Sequence, residues 1–168
     1  MPGNFAHILV PTDFGLASDA ALACAKEIAK RFGARLSLLH VVTDPRAAGI
    51  WTPEVYVPTS LETREGFLRE ARQRLETTPL TAEERERFSV TMDARIGAAG
   101  DSISDFAREQ NVDLIVMGTH ARTGLAHLFL GSVAERVLRS APCPVLTTHA
   151  VYPQAVSEKV AAVDVIVV

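Results

Sequence analysis

Short β-prone runs alternate with stretches of helical period along most of the chain, and few folds accommodate that alternation. His7 to Val10 is apolar and ends at Pro11-Thr12-Asp13. Ser18 then reads as a helix N-cap, with Ala21, Leu22, Ala25, Ile28, Ala29 and Phe32 at helical spacing and Gly33 as the stop. Arg35 to Val42 (RLSLLHVV) is a second strand, and Thr43 to Thr59 a long irregular connection. Leu61, Leu68, Ala71 and Leu75 share the face of a second helix, whose charges Glu62, Arg64, Arg69, Arg72 and Arg74 fall mostly on a solvated side. Thr81 and Glu84 have capping-box spacing, which predicts one short helical turn before a strand from Ser89 to Ile96. Asp101 starts a helix that turns Ile103, Phe106 and Ala107 inward. Asp113 to Met117 (DLIVM) is a buried strand, Gly131 to Ser140 the last long helix, and Pro144 to Thr148 (PVLTT) the last regular strand. Five strands interleaved with four helices make βαβ units, and their crossovers predict an α/β fold: a doubly wound, five-stranded parallel sheet with helices on both faces.

Composition narrows the function. At 168 residues the chain suits one domain of ordinary size, here residues 1–150, followed by an extension, residues 151–168. Seventeen basic against 20 acidic residues give a net charge of −3, which supplies no basic field for nucleic acid. Cys24 and Cys143 lie far apart with no CxxC spacing, so neither a disulfide framework nor a zinc site is indicated, and a reducing cytoplasm fits best. No apolar run reaches the roughly 20 residues of a membrane span, and the start, MPGNFAHILVPTD, has no charged leader region.

The stretch MGTHARTGLAHLFLGSV, from Met117 to Val133, then stands out between a buried strand and a helix start. In a doubly wound sheet, ligands bind beyond the carboxyl ends of the strands, where the winding reverses. Pro11-Thr12-Asp13 follows the first strand and Gly118 to Leu130 the fourth; if those strands are neighbours, both loops face one crevice. Asp13 would accept hydrogen bonds from ribose hydroxyls, while backbone N–H groups around Gly118 and at Gly131-Ser132-Val133 point at phosphate. Taken singly, Asp13 is a turn or cap residue and Gly131-Ser132 a helix cap. Their convergence on one crevice favours a ligand.

These residues resemble the glycine loop of the universal stress protein family, written G-x-x-G-x9-G-[ST] in its ATP-binding branch. The resemblance takes in ILVPTD, LLHVV and SVAERVLRSAPCPVL, and spans Phe5 to Thr148. It implies a Rossmann-like sheet in the order 3-2-1-4-5, a homodimer through the last strand, Pro144 to Thr148, and a bound adenine nucleotide: ATP, or AMP or ADP, with Mg²⁺ carried by the nucleotide. By the same resemblance Pro11, Thr12 and Asp13 line adenine and ribose, Val41 touches the base, Met117 closes the adenine pocket, Gly118 begins the phosphate loop, and Gly131, Ser132 and Val133 end it. The second motif glycine is Ala121 here. Alanine keeps its N–H but disfavours positive φ by roughly 1 kcal/mol or more. Arg122 follows directly and offers a charge-assisted contact to phosphate.

Other chemistry finds less support. His40 reads as a core or edge histidine, and His120 and His127 have no partners at metal-ligand spacing. No catalytic residue is assigned: Ser132, His120 and Asp13 lack a GxSxG elbow, and the loop lacks the GK[ST] ending that would put a lysine on a γ-phosphate. The reading is a nucleotide-binding stress-response protein that acts through unknown protein partners, with an interaction or chaperone-like module as the alternative and a slow ATPase third. The tail sequence VAAVDVIVV, β-branched and almost uncharged, is expected to pair as an extra strand.

Overall fold

A computed structural model describes residues 5–43, 61–119 and 131–149. Ten elements follow in order: β1 (His7–Pro11), α1 (Leu16–Phe32), β2 (Arg35–Thr43), α2 (Leu61–Glu76), α3 (Ala82–Arg87), β3 (Thr91–Gly97), α4 (Ala99–Glu109), β4 (Leu114–Thr119), α5 (Ser132–Ser140) and β5 (Val145–His149). The strands form one five-stranded sheet in the order β3-β2-β1-β4-β5, every pairing parallel. This is the doubly wound arrangement that the alternating segments predict. The fifth helix, α3, is the short turn marked by Thr81 and Glu84, whose reciprocal bonds of 3.1 and 3.0 Å close a capping box.

Period-two alternation along the strands splits the core in two. Ile8, Val10, Leu36, Leu38 and Val116 face α1 and α2, meeting Ala21, Leu22, Ala25, Ala71 and Leu75. Leu9, Leu39, Ile115, Met117 and Val145 face α4 and α5, meeting Ile103, Phe106, Ala107, Ala134 and Val137. Central strand β1 is buried along its whole length, as a parallel strand covered on both faces must be. Alanines line the inner face of α1, so this helix lies close on the sheet. Gly33 ends it at φ 67, a conformation that costs glycine little.

Several boundaries differ from those expected. Helix α1 has its N-cap at Gly15 rather than Ser18; Ser18 sits at the third helical position, where its hydroxyl accepts from the Gly15 N–H at 3.1 Å. Helix α4 begins at Ala99, which puts Asp101 in its first turn, paired with Arg136 at 2.6 Å. Strand β3 starts at Thr91 because the turn closing α3 runs on through Ser89, whose φ is 43. Asp113 precedes β4 and accepts the N–H groups of Ala6 and His7, each at 2.9 Å. Two residues expected inward face out: Leu61 is 78% and Phe32 44% exposed, the latter ring edge-on to Phe5. Among the described residues no helix is long and apolar enough to cross a membrane. Most of the 43–59 connection, Arg122, the rest of the loop from 120 to 130 and the tail after 149 lie outside the described residues.

Candidate functional site

Winding reverses between β1 and β4, which are neighbours although the chain visits two strands between them. At the carboxyl ends of these strands lies a cavity of about 310 Å³, within the range expected for a small-molecule site. Pro11, Thr12 and Asp13 line it from the end of β1, Val41 from β2, Met117 and Gly118 from β4, and Gly131, Ser132 and Val133 from the start of α5. Each described residue singled out in the sequence is therefore on one wall or another. Leu39, Ile103 and Ala134 complete the apolar part, and Thr43, Ser18 and Thr119 add hydroxyls. The cavity thus has an apolar side suited to a flat ring and a polar rim.

Two polar parts of its lining are the turn after β1 and the start of α5. The turn after β1 is held by β2 and by its own atoms: the Thr12 N–H donates to the Leu39 carbonyl of β2 at 2.9 Å, the Phe14 N–H to Thr12 Oγ1 at 3.0 Å, and the Gly15 N–H to Asp13 Oδ1 at 2.9 Å. Ser18 Oγ lies 2.9 Å from the same carboxylate oxygen. Asp13 is consequently fixed before any ligand arrives. His40 ties β2 to this turn, its Nδ1 2.7 Å from the Thr12 carbonyl; a carbonyl only accepts, so Nδ1 carries the proton.

Helices α1 and α5 both start from a glycine N-cap, Gly15 and Gly131. Among the described residues no side chain caps α5 at Gly131, and Gly131, Ser132 and Val133 line the cavity, so the positive end of the α5 dipole lies at its rim. At the start of α1, Asp13 and Ser18 both accept from the N–H of the N-cap residue, Gly15.

The two described loop glycines also differ. A Cβ on Gly118 would lie 2.3 Å from the backbone carbon and oxygen of Ala17, so α1 could not pass so close to β4. On Gly131 it would meet nothing among the described residues within 4 Å, and the residue's φ of −59 is open to any amino acid. The described fold needs glycine at 118, and its described residues make no such demand at 131.

Sequence reasoning missed the part played by His40, Ser18 and Thr43. His40 looked like a core residue because LLHVV is apolar around it, although its place at the carboxyl end of a strand beside β1 was a usable signal. Neither cysteine is poised as a nucleophile: burial raises the Cys24 thiol, and burial followed by the Asp113 carboxylate pushes Cys143 up to about 11. Both are free thiols.

Comparison with known proteins gives a consistent result. The model of the universal stress protein family matches residues 4–149. Universal stress protein MJ0531 of Methanocaldococcus jannaschii is 36% identical over 149 residues, covering 84% of this chain and 81% of the relative. Universal stress protein YxiE of Bacillus subtilis is also 36% identical over 149 residues, covering 84% and 97%. Among solved structures, hypothetical protein MJ0577 superimposes with a TM-score of 0.67 at 25% identity, covering 90% of this chain and 100% of that one. A universal stress protein in complex with cAMP superimposes with a TM-score of 0.53 at 26% identity, covering 88% and 98%.

Proposed function

The chain belongs to the universal stress protein family, and from that premise we propose that its cavity binds an adenine nucleotide, ATP or the related ADP or AMP, and passes the bound state on to protein partners. The observation that carries this reading is the start of α5, uncapped among the described residues, at the rim of a partly apolar cavity that Asp13 also lines. The base would lie against Val41 and Met117, Asp13 would accept from the ribose hydroxyls, and the N–H groups of Gly131, Ser132 and Val133 would receive phosphate. Arg122 would add charge to the same phosphates, with Mg²⁺ carried by them. A relative of the same fold was solved with cAMP, itself an adenine nucleotide. A ligand shifts a conformational equilibrium by its differential affinity for two states, so a partner would sense the nucleotide through the loops that border the cavity.

The same proposal takes the protein to be a cytoplasmic homodimer joined along β5, an edge strand among the described residues. One sequence feature favours a second reading, an interaction or chaperone-like module with a degenerate site: Ala121 in place of the second motif glycine. Titration of Ala121→Gly beside the natural chain separates the two. On the nucleotide reading both bind ATP, the variant up to about tenfold more tightly, since that is the cost of roughly 1.4 kcal/mol for positive φ. Binding by the variant alone would establish a degenerate site.

A further inference from the structure

Phe14 is bulky, yet its φ is 64, in the left-handed region that suits glycine. It stands between Asp13, on the cavity, and Gly15, the N-cap of α1. The kink sends its ring away from the cavity, into the core that faces α1 and α2. There it rests 4.5 Å from the His40 ring, centroid to centroid, and the Arg74 guanidinium lies over it, also at 4.5 Å. A strained backbone persists only where its surroundings over-determine it, and such strain gathers at functional sites.

We propose that Phe14 is a positioning residue for Asp13: its ring, held by Arg74 and by His40, which also lines the cavity, locks the turn that presents the Asp13 carboxylate to that cavity. Resting on the nucleotide reading above, this deepens it. Phe14 touches no ligand; it acts on the ribose contact alone, and the base and phosphate contacts do not depend on it.

The test compares ATP with 2′,3′-dideoxy-ATP, which lacks the hydroxyls that Asp13 would receive. The natural chain should prefer ATP by about tenfold, the size expected of hydrogen bonds to a charged group. Phe14→Ala, which keeps the unfavourable φ and loses the ring, should bring the two affinities within about twofold while leaving that for the dideoxy compound unchanged. Phe14→Tyr should keep the preference, and Phe14→Gly should fall between. In an Asp13→Asn background Phe14→Ala should change nothing further. If Phe14→Ala keeps the full preference, or weakens both nucleotides equally, the proposal is overturned. Should that variant fail to fold, Phe14→Leu is read in the same way. If the natural chain binds neither nucleotide, the nucleotide reading has failed, and hydrogen exchange at the Gly15 amide, bonded to Asp13, decides the inference. Protection lost in Phe14→Ala and kept in Phe14→Tyr supports it; protection kept in both overturns it.

Discussion

Two glycines that look alike in the sequence answer to different neighbours. At Gly118 an added methyl would meet the Ala17 backbone, and such overpacking costs about 1–3 kcal/mol. Gly118→Ala should therefore lower the melting temperature by roughly 2–12 °C, at the 2–4 °C per kcal/mol usual for domains of this size. Gly131 meets no described residue within 4 Å of an added Cβ and has an ordinary φ. Gly131→Ala should leave the melting temperature within about 2 °C, because surface changes of this kind stay near ±0.5 kcal/mol. Its effect should fall on ATP affinity, weakened about tenfold where a methyl intrudes on the phosphate position. Calorimetric scanning and titration of both variants check the pair. The loop's spacing made both glycines legible as a motif; what each is for was not, because the reason at 118 is a helix more than a hundred residues earlier in the chain.

Helices and strands were legible in kind, and their ends were misread where a turn borrows side chains from beyond itself. Ser18 looks like an N-cap because serine so often is one, but Asp13 and Gly15 let α1 start earlier and leave Ser18 to bond back to the turn. Ser18 is 5% exposed, and its hydroxyl also accepts from Thr12 Oγ1 at 3.1 Å. Ser18→Ala should cost about 1–3 kcal/mol by leaving buried partners unsatisfied, measurable by urea unfolding. At the opposite end of the sheet, buried His7 links three strands: its Nε2 lies 2.7 Å from Ser37 Oγ, which lies 2.7 Å from Thr91 Oγ1. Burial, then the nearby Arg35 guanidinium, holds the His7 pKa below the ordinary 6.5. The unfolded chain therefore takes up this proton first as pH falls. Stability from His7 is complete above pH 6.5 and declines as pH drops from there through the folded value. Glu84 and Glu109, held low chiefly by Lys26 and Arg95, begin to contribute loss only below their ordinary 4.5. Unfolding midpoints compared at pH 7.5 and 5.5 should thus fall with acid in the natural chain, and fall less in His7→Gln.

Across the whole molecule, the placing of the site follows from topology. The chain winds outward through β1, β2 and β3, returns to lay β4 beside β1, and so brings Asp13, Gly118 and Gly131 to one opening. Alternation of segments was enough to expect a parallel sheet; the strand order came from the family resemblance, since periodicity says nothing of which strands are neighbours. The edge position of β5 sets up the proposed homodimer. Sedimentation equilibrium at micromolar concentration should give twice the chain mass, and a monomer there would remove that part of the proposal. Whether the cavity serves an adenine nucleotide is decided most directly by calorimetric titration of nucleotide-stripped, folded protein with ATP and Mg²⁺. We expect saturable binding in the micromolar range; absence of heat at millimolar ATP would contradict nucleotide binding and leave the interaction module as the better reading.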